Sequence, residues 1–244
     1  MSKKDKASYM CNEVSLLYPA QVVLPGAGKI HAVRVATFGA MKRGFDFVMA
    51  LFLLTGLSPA LLLIAVAIKI DSPGPVFFRQ RRTGKNGKEF EILKFRSMVA
   101  DNDIHDTSCE DKYTRLGEKL RKSSVDELPQ LINVLKGEMS FIGPRPWVPE
   151  YYENMNAAER ERVSVRPGIT GLAAAKGRNG LSVFEKIGYD LEYVRNYSLS
   201  QDVKVVVLTV GTVLTRKGAS SNKKVIHNEL DALKNRSGKR VAEE

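Results

Sequence analysis

Cysteine and histidine are scarce in this sequence of 244 residues, which contains two cysteines and three histidines. Two cysteines build no disulfide framework, and no spacing typical of metal ligands relates them to the histidines. These absences exclude a disulfide-stapled secreted domain and a Cys/His metal site, and they favour a reducing, cytosol-facing protein. The sequence also lacks internal repeats, a Walker-type phosphate loop and a dinucleotide-binding fingerprint.

The N-terminal part of the chain has no apolar run of signal-peptide length, because a charged residue or a helix breaker interrupts each run. We expect a loosely structured extension over residues 1–36. The C-terminal residues 218–244 are polar and charged, and we expect a basic, mobile tail there.

Acidic residues are outnumbered by basic ones, 27 against 38, which gives a formal net charge of +11. A charge of this size indicates an anionic partner: nucleic acid, an anionic membrane surface or a phosphorylated substrate. Charge alone does not choose among these three classes.

Charged residues are missing altogether from residues 47–68. A helix of about 22 residues at ~1.5 Å per residue is ~33 Å long, which is enough to cross a bilayer. The segment therefore predicts a membrane protein.

A Ser58-Pro59 pair lies at the centre of this segment, and basic residues flank both of its ends: Lys42, Arg43 and Lys69. Because basic flanks stay in the cytoplasm, we predict a re-entrant helix over residues 37–70 that bends at the pair. The Ser58 hydroxyl is expected to satisfy the carbonyl that Pro59 frees. The alternative is an ordinary kinked transmembrane helix.

Two β-rich runs, residues 76–82 and 89–95, flank an Asn86-Gly87 pair and predict a β-hairpin. Their basic residues alternate with aromatic ones, which is typical of a face that lies against anionic headgroups. Single-stranded nucleic acid also binds such surfaces, but the adjacent membrane segment disfavours that use.

An acid pair, Asp126 and Glu127, precedes apolar residues at helical spacing, and Gly137 is placed to end the predicted helix. A helix start holds a carboxylate ionised. The competing interpretation is structural, because Ser124-x-x-Glu127 matches a capping box.

Arginines accompany the acid pair: Arg121 lies just before it, and Arg145 is fixed between two prolines after it. A carboxylate attacks a phosphate only where cations neutralise the phosphate oxygens, and arginines with a divalent cation do this. The inference is a membrane-bound site for phosphate-ester chemistry. Further along, residues 165–180 form a turn-rich loop that carries Arg178, and residues 203–214 predict an interfacial helix, a buried strand or a core helix.

Five motifs together resemble the monotopic phosphoglycosyl transferases, the bacterial sugar transferases that start capsule, exopolysaccharide and glycoprotein glycan assembly. In order they read "KRGFDFVMALFLL", "SPGPVFFRQRRTGKNGKEFEILKFRSM", "RKSSVDELPQLINVLKGEMSFIGPRP", "VRPGITG" and "GRN". The resemblance runs from Lys42 to about Leu214.

The resemblance implies an α+β monotopic membrane protein: a re-entrant helix broken at Ser58-Pro59, a β-hairpin, and a mainly helical cytosolic catalytic domain over residues 71–217 with interfacial amphipathic helices. It also implies a location on the cytoplasmic face of the bacterial inner membrane, among membrane lipids. The resemblance is compatible with a homodimer. No nucleic acid is expected as a partner.

The implied reaction has two steps. Asp126 attacks the β-phosphate of a UDP-sugar, releases UMP and forms a covalent phosphosugar intermediate, which a polyprenyl phosphate such as undecaprenyl phosphate then accepts. Mg²⁺ is expected at Asp126 and Glu127. By the same likeness, phosphates are held by four cations: Lys94, Arg121, Arg145 and Arg178.

The sequence departs from the family pattern in one loop. Where many members read "TGWAQVNGRN", this chain reads "TGLAAAKGRN", with Leu172, Ala174 and Lys176 as replacements. We expect a changed nucleotide or sugar pocket near this loop. A non-catalytic, membrane-anchored adaptor of a glycan-assembly complex is the alternative function, and a membrane-bound nucleic-acid-binding protein is a third.

Overall fold

The computed structural model describes residues 27–99, 113–177, 180–214 and 229–234. These residues form helices and two small sheets, as the α+β prediction requires. The helices are α1 Ala27–Asp71, α2 Arg115–Lys122, α3 Gln130–Lys136, α4 Pro149–Glu153, α5 Ala157–Arg160, α6 Leu172–Lys176, α7 Val183–Arg195, α8 Leu199–Leu214 and α9 over 229–234. The strands are β1 Phe77–Thr83, β2 Glu89–Phe95, β3 Ser140–Ile142 and β4 Gly168–Thr170.

Helix α1 is one helix with Pro59 inside it. The Ser58 hydroxyl donates a hydrogen bond of 2.8 Å to the carbonyl of Thr55, which is the group that Pro59 leaves without an N–H partner. This predicted bond is confirmed. The helix begins at Ala27, so its first residues fall within the stretch 1–36 for which the sequence predicts a loose extension. Residues 35–71 are long and apolar enough to cross a membrane.

The part of α1 that precedes Pro59 is tied to the rest of the protein by polar contacts. Lys42 forms a buried ion pair with Asp202 of α8. Arg43 donates to the carbonyls of Val134 and Leu135, at 2.6 and 2.8 Å, and so satisfies the C-terminal carbonyls of α3. Both basic residues therefore fix the folded domain against the helix.

The end of α1 that follows Pro59 is held by the same domain. Arg96, at the end of β2, donates to the carbonyls of Ser72 and Pro73, each at 2.7 Å. The carboxylate of Asp71 accepts from the backbone N–H of Leu116 in α2, at 3.1 Å. Arg96 is thus a buried anchor for the end of α1.

The predicted hairpin is confirmed, with β1 antiparallel to β2. Its turn places Asn86 and Gly87 at φ values of 57° and 77°, the left-handed region that this residue pair tolerates. Phe90 and Ile92 lie on the inner face of β2, where they pack on Val134 of α3 in a buried cluster. The hairpin is thereby fixed against the helix that follows the acid pair.

Residues 203–214 are helical and belong to α8, so the buried-strand interpretation is wrong. One face of α8 is buried through Val205, whereas Val203, Val207 and Val210 are exposed. An exposed apolar face of this kind is typical of a helix that lies in a membrane interface.

Part of the C-terminal tail is folded. Leu233 of α9 is fully buried against Tyr151 and Ile187, and Glu229 forms an ion pair of 2.6 Å with Lys186. The expectation of a mobile tail therefore does not hold for residues 229–234.

Candidate functional site

The acid pair lies in a 3₁₀ turn, Val125–Glu127, which connects α2 to α3. Ser124 precedes the turn in the left-handed region, at φ 59°. The predicted helix is present as α3, and Gly137 ends it at φ 85°, as the sequence predicts. The two carboxylates thus stand on a tight turn whose exit is fixed by a packed helix.

Glu127 binds two cations through one carboxylate oxygen. Its Oε1 accepts hydrogen bonds from Lys94 Nζ at 2.7 Å and from Arg145 Nη2 at 2.9 Å. Burial alone would raise the pKa of Glu127, but Arg145 and Lys94 outweigh it and hold the pKa far below its ordinary range. Ser124 makes no side-chain cap, so the capping-box interpretation is wrong.

Asp126 is buried, with 6% of its surface exposed. Nothing in the described ranges donates a hydrogen bond to its carboxylate. Burial raises the pKa of Asp126, and the neighbouring charges of Lys94, Arg121 and Arg145 partly oppose this shift. The two adjacent acids therefore differ: Glu127 is paired with two cations and ionised, whereas Asp126 has no hydrogen-bond partner among the described residues and is more costly to ionise.

Two arginines fix the backbone at Arg145 and at the residue that follows it. Arg162 donates from Nη2 to the Arg145 carbonyl at 2.8 Å, and its Nε binds Asp190 at 3.0 Å. Arg82 donates to the carbonyl of Pro146 at 3.2 Å. Because these contacts and the two prolines restrict the backbone, the half-exposed Arg145 side chain is held over the acid pair.

The loop that carries Arg145 is positioned by close packing between two backbone segments. Strands β3 and β4 pair in parallel, so the segment "FIGPRP" lies beside "RPGITG". A Cβ atom on Gly143 would lie 2.4 Å from the carbonyl oxygen of Arg166, so only glycine fits at this position.

The structure places the remaining predicted residues in different surroundings. Arg121 is one of the charges around Asp126, and its guanidinium also lies over the ring of Tyr113, 5.2 Å from the centroid. Arg178 lies outside the described residues. Leu172 is fully buried in a hydrophobic cluster that includes Val165, and the predicted change in the nucleotide or sugar pocket near this loop stays a prediction.

Sequence reasoning missed three residues at the site: Arg82, Gln130 and Arg162. Arg82 and Gln130 line a cavity of ≈ 20 Å³ next to Lys94 and Arg145. No sequence pattern indicates a functional role for Gln130, because a glutamine in the first turn of a helix is common. Arg82 was visible only as one member of a basic strand.

The acid pair is also the place where a magnesium ion is expected. The described ranges contain no cluster of three or more Asp, Glu, His or Cys side chains that would enclose a metal. Magnesium is commonly held by one or two carboxylates, with water and substrate phosphates completing its shell. The Asp126 carboxylate, which has no hydrogen-bond partner among the described residues, and the second oxygen of Glu127 fit a magnesium of that kind.

Comparison with known proteins gives consistent matches. Residues 37–216 match the family model described as bacterial sugar transferase. The UDP-glucose:undecaprenyl-phosphate glucose-1-phosphate transferase of Xanthomonas campestris pv. campestris is 45% identical over 188 residues, covering 71% of this chain and 39% of that protein. The protein of the same name from Caulobacter vibrioides is 43% identical over 190 residues, covering 73% of this chain and 71% of that protein.

A relative with a different sugar in its name matches almost as well. The UDP-N-acetylgalactosamine-undecaprenyl-phosphate N-acetylgalactosaminephosphotransferase of Aeromonas hydrophila is 41% identical over 195 residues, covering 75% of this chain and 45% of that protein. The chain thus spans about two fifths of the length of the Xanthomonas relative and under half that of the Aeromonas one.

Proposed function

Because the chain belongs to the bacterial sugar transferase family, we propose that it transfers a sugar-1-phosphate from a UDP-sugar to undecaprenyl phosphate and releases UMP. The names of the Xanthomonas and Caulobacter relatives support the acceptor and the group transferred. The observation that carries the proposal is the asymmetric acid pair: Glu127 holds Lys94 and Arg145, whereas Asp126 accepts no hydrogen bond from the described residues.

In the first step, an Asp126 carboxylate oxygen attacks the phosphorus that bears the sugar. A new P–O bond forms to Asp126, and the bond between that phosphorus and the bridging oxygen breaks. UMP leaves with the bridging oxygen and its negative charge. Lys94, Arg121 and Arg145 lie where they reduce the repulsion between the carboxylate and the diphosphate.

In the second step, a phosphate oxygen of undecaprenyl phosphate attacks the same phosphorus. The bond to Asp126 breaks, the carboxylate is regenerated, and polyprenyl diphosphate sugar is formed. Glu127 stays ionised through both steps and keeps Lys94 and Arg145 in position. A bound Mg²⁺ would neutralise phosphate charge beside Asp126 and Glu127.

The acceptor is a lipid, and the contacts of α1 support a monotopic arrangement. Lys42 on one side of Pro59 and Asp71 on the other both bind one folded domain. A straight span would separate these ends by a membrane, and a single domain would then not reach both. We therefore propose a re-entrant α1, with the catalytic domain on the cytoplasmic face of the inner membrane.

Nucleotide release tests the reaction. Purified protein in nanodiscs, with Mg²⁺ and undecaprenyl phosphate, is expected to release UMP from one member of a UDP-sugar panel that includes UDP-glucose and UDP-N-acetylgalactosamine. UMP and UDP are quantified separately. Release of UDP would indicate glycosyl transfer and contradict the proposal, and release of neither nucleotide would favour the adaptor function.

Cysteine labelling tests the topology. Met41 and Ile70 are exposed and flank the apolar segment, so Met41→Cys and Ile70→Cys give reporters that break no described contact. In spheroplasts, a membrane-impermeant maleimide is expected to label neither residue until the cells are opened. Labelling of either residue from the periplasm would mean that α1 spans the membrane. Lys42 is unsuitable as a reporter, because its ion pair with Asp202 is buried.

A further inference from the structure

The cavity beside the acid pair has more hydrogen-bond donors than acceptors. Its volume is ≈ 20 Å³, and it is lined by Arg82, Ile92, Lys94, Gln130, Arg145 and Pro146. Two of these lining residues, Arg82 and Gln130, each carry a buried nitrogen atom, Nε and Nε2 respectively, that has no hydrogen-bond acceptor within the described part of the chain. Unpaired buried donors are costly, so such a pair indicates a site that a ligand completes.

Charge selects the kind of ligand. Three cations line the cavity, and one carboxylate, Glu127, is bound to two of them. Burial, reinforced by Arg145, lowers the pKa of Arg82 to about 10, so its guanidinium remains charged at neutral pH. The walls therefore carry excess positive charge, and an anionic acceptor is favoured over a neutral one.

The volume of the cavity restricts the size of the group that binds in it. A cavity of about 10–15 Å³ holds one water molecule, so ≈ 20 Å³ admits one oxygen-sized group but not a sugar ring. A non-bridging phosphate oxygen has the right size, charge and capacity to accept several hydrogen bonds.

We propose that this cavity is an oxyanion pocket that binds one non-bridging oxygen of a substrate phosphate, with Gln130 Nε2 and Arg82 Nε as its donors. The inference rests on the proposed function for the identity of the substrate. It adds Gln130 and Arg82 to the groups that bind phosphate, and it explains why the amide nitrogen of a fully buried glutamine has no partner among the described residues.

The same α3 helix provides a matched control. Asn133 is also a buried amide, but its Nδ2 donates to Glu91 and Glu138, and its Oδ1 accepts from the Leu93 N–H at 3.0 Å. Asn133 is structural, whereas Gln130 Nε2 has no hydrogen-bond partner among the residues that the structure describes. Removal of the two amides is therefore expected to change stability in opposite directions.

The test is thermal unfolding combined with titration by UMP, inorganic phosphate and undecaprenyl phosphate, on the full chain in nanodiscs. Gln130→Leu is expected to keep or raise the ligand-free Tm by a few degrees and to weaken phosphate-ligand binding roughly ten- to hundredfold. Gln130→Glu, which keeps the shape and adds a negative charge, is expected to weaken binding at least as much. Asn133→Leu is expected to lower Tm.

The outcomes separate the sources of the phosphate. A loss confined to UMP assigns the pocket to the nucleotide phosphate, and a loss confined to undecaprenyl phosphate assigns it to the acceptor phosphate. A lower Tm with unchanged affinity for all three ligands in both Gln130 variants would overturn the inference, while UMP release by the unaltered protein would leave the proposed function standing.

Discussion

Asp126→Asn is expected to reduce UMP release by at least about 10⁴-fold while the protein still enters the membrane and folds. Asparagine keeps the shape of the side chain but supplies no nucleophilic carboxylate oxygen. With donor present and acceptor withheld, intact-protein mass spectrometry is expected to show a sugar-phosphate adduct on the unaltered chain and none on the variant. Retained turnover in the variant would contradict the covalent mechanism.

The same substitution is expected to raise stability at neutral pH. Because the pKa of Asp126 is raised above its ordinary value of 3.8, the folded state binds this proton more tightly than the unfolded state does. Ionised Asp126 therefore destabilises the fold. The difference by which the Tm of Asp126→Asn exceeds the Tm of the unaltered protein should decrease as the pH falls through the raised pKa and then below 3.8. Glu118→Gln, on an exposed carboxylate of α2, is the control and should change neither activity nor Tm substantially.

Local sequence patterns predicted the elements that local interactions stabilise. The Asn86-Gly87 pair predicted the hairpin, and the apolar spacing with Gly137 predicted α3, because turn and cap preferences act within a few residues. The Ser58 bond to the helix backbone was predicted for the same reason, since donor and acceptor are three residues apart.

Sequence patterns did not predict the roles of residues whose partners are far away along the chain. The capping-box pattern around Glu127 is local, but its cationic partners Lys94 and Arg145 are 33 and 18 positions away, and charge-assisted bonds to them displaced the cap. The role of Arg162 depends on a carbonyl 17 positions away. Leu233 lies in a polar tail and is buried through tertiary packing alone.

Glu127→Gln is expected to act in the opposite direction to Asp126→Asn on stability. A neutral amide leaves Lys94 largely buried and Arg145 half-exposed without their carboxylate, which should cost about 2 kcal/mol of folding free energy. Activity should fall roughly 10²- to 10³-fold, because Lys94 and Arg145, which we propose to bind phosphate, lose their fixed position.

The pH dependence distinguishes this role from simple packing. Because the pKa of Glu127 is held below its ordinary value of 4.5, its ionised form stabilises the fold at every pH above that value. This contribution is lost as the pH falls below 4.5 towards the depressed pKa. Thermal unfolding between pH 3 and pH 8 should therefore show a Tm deficit in Glu127→Gln that is constant above about pH 5 and narrows in acid. A deficit that does not change with pH would mean that Glu127 stabilises the site by shape alone, and that Lys94 and Arg145 are held in place by other contacts.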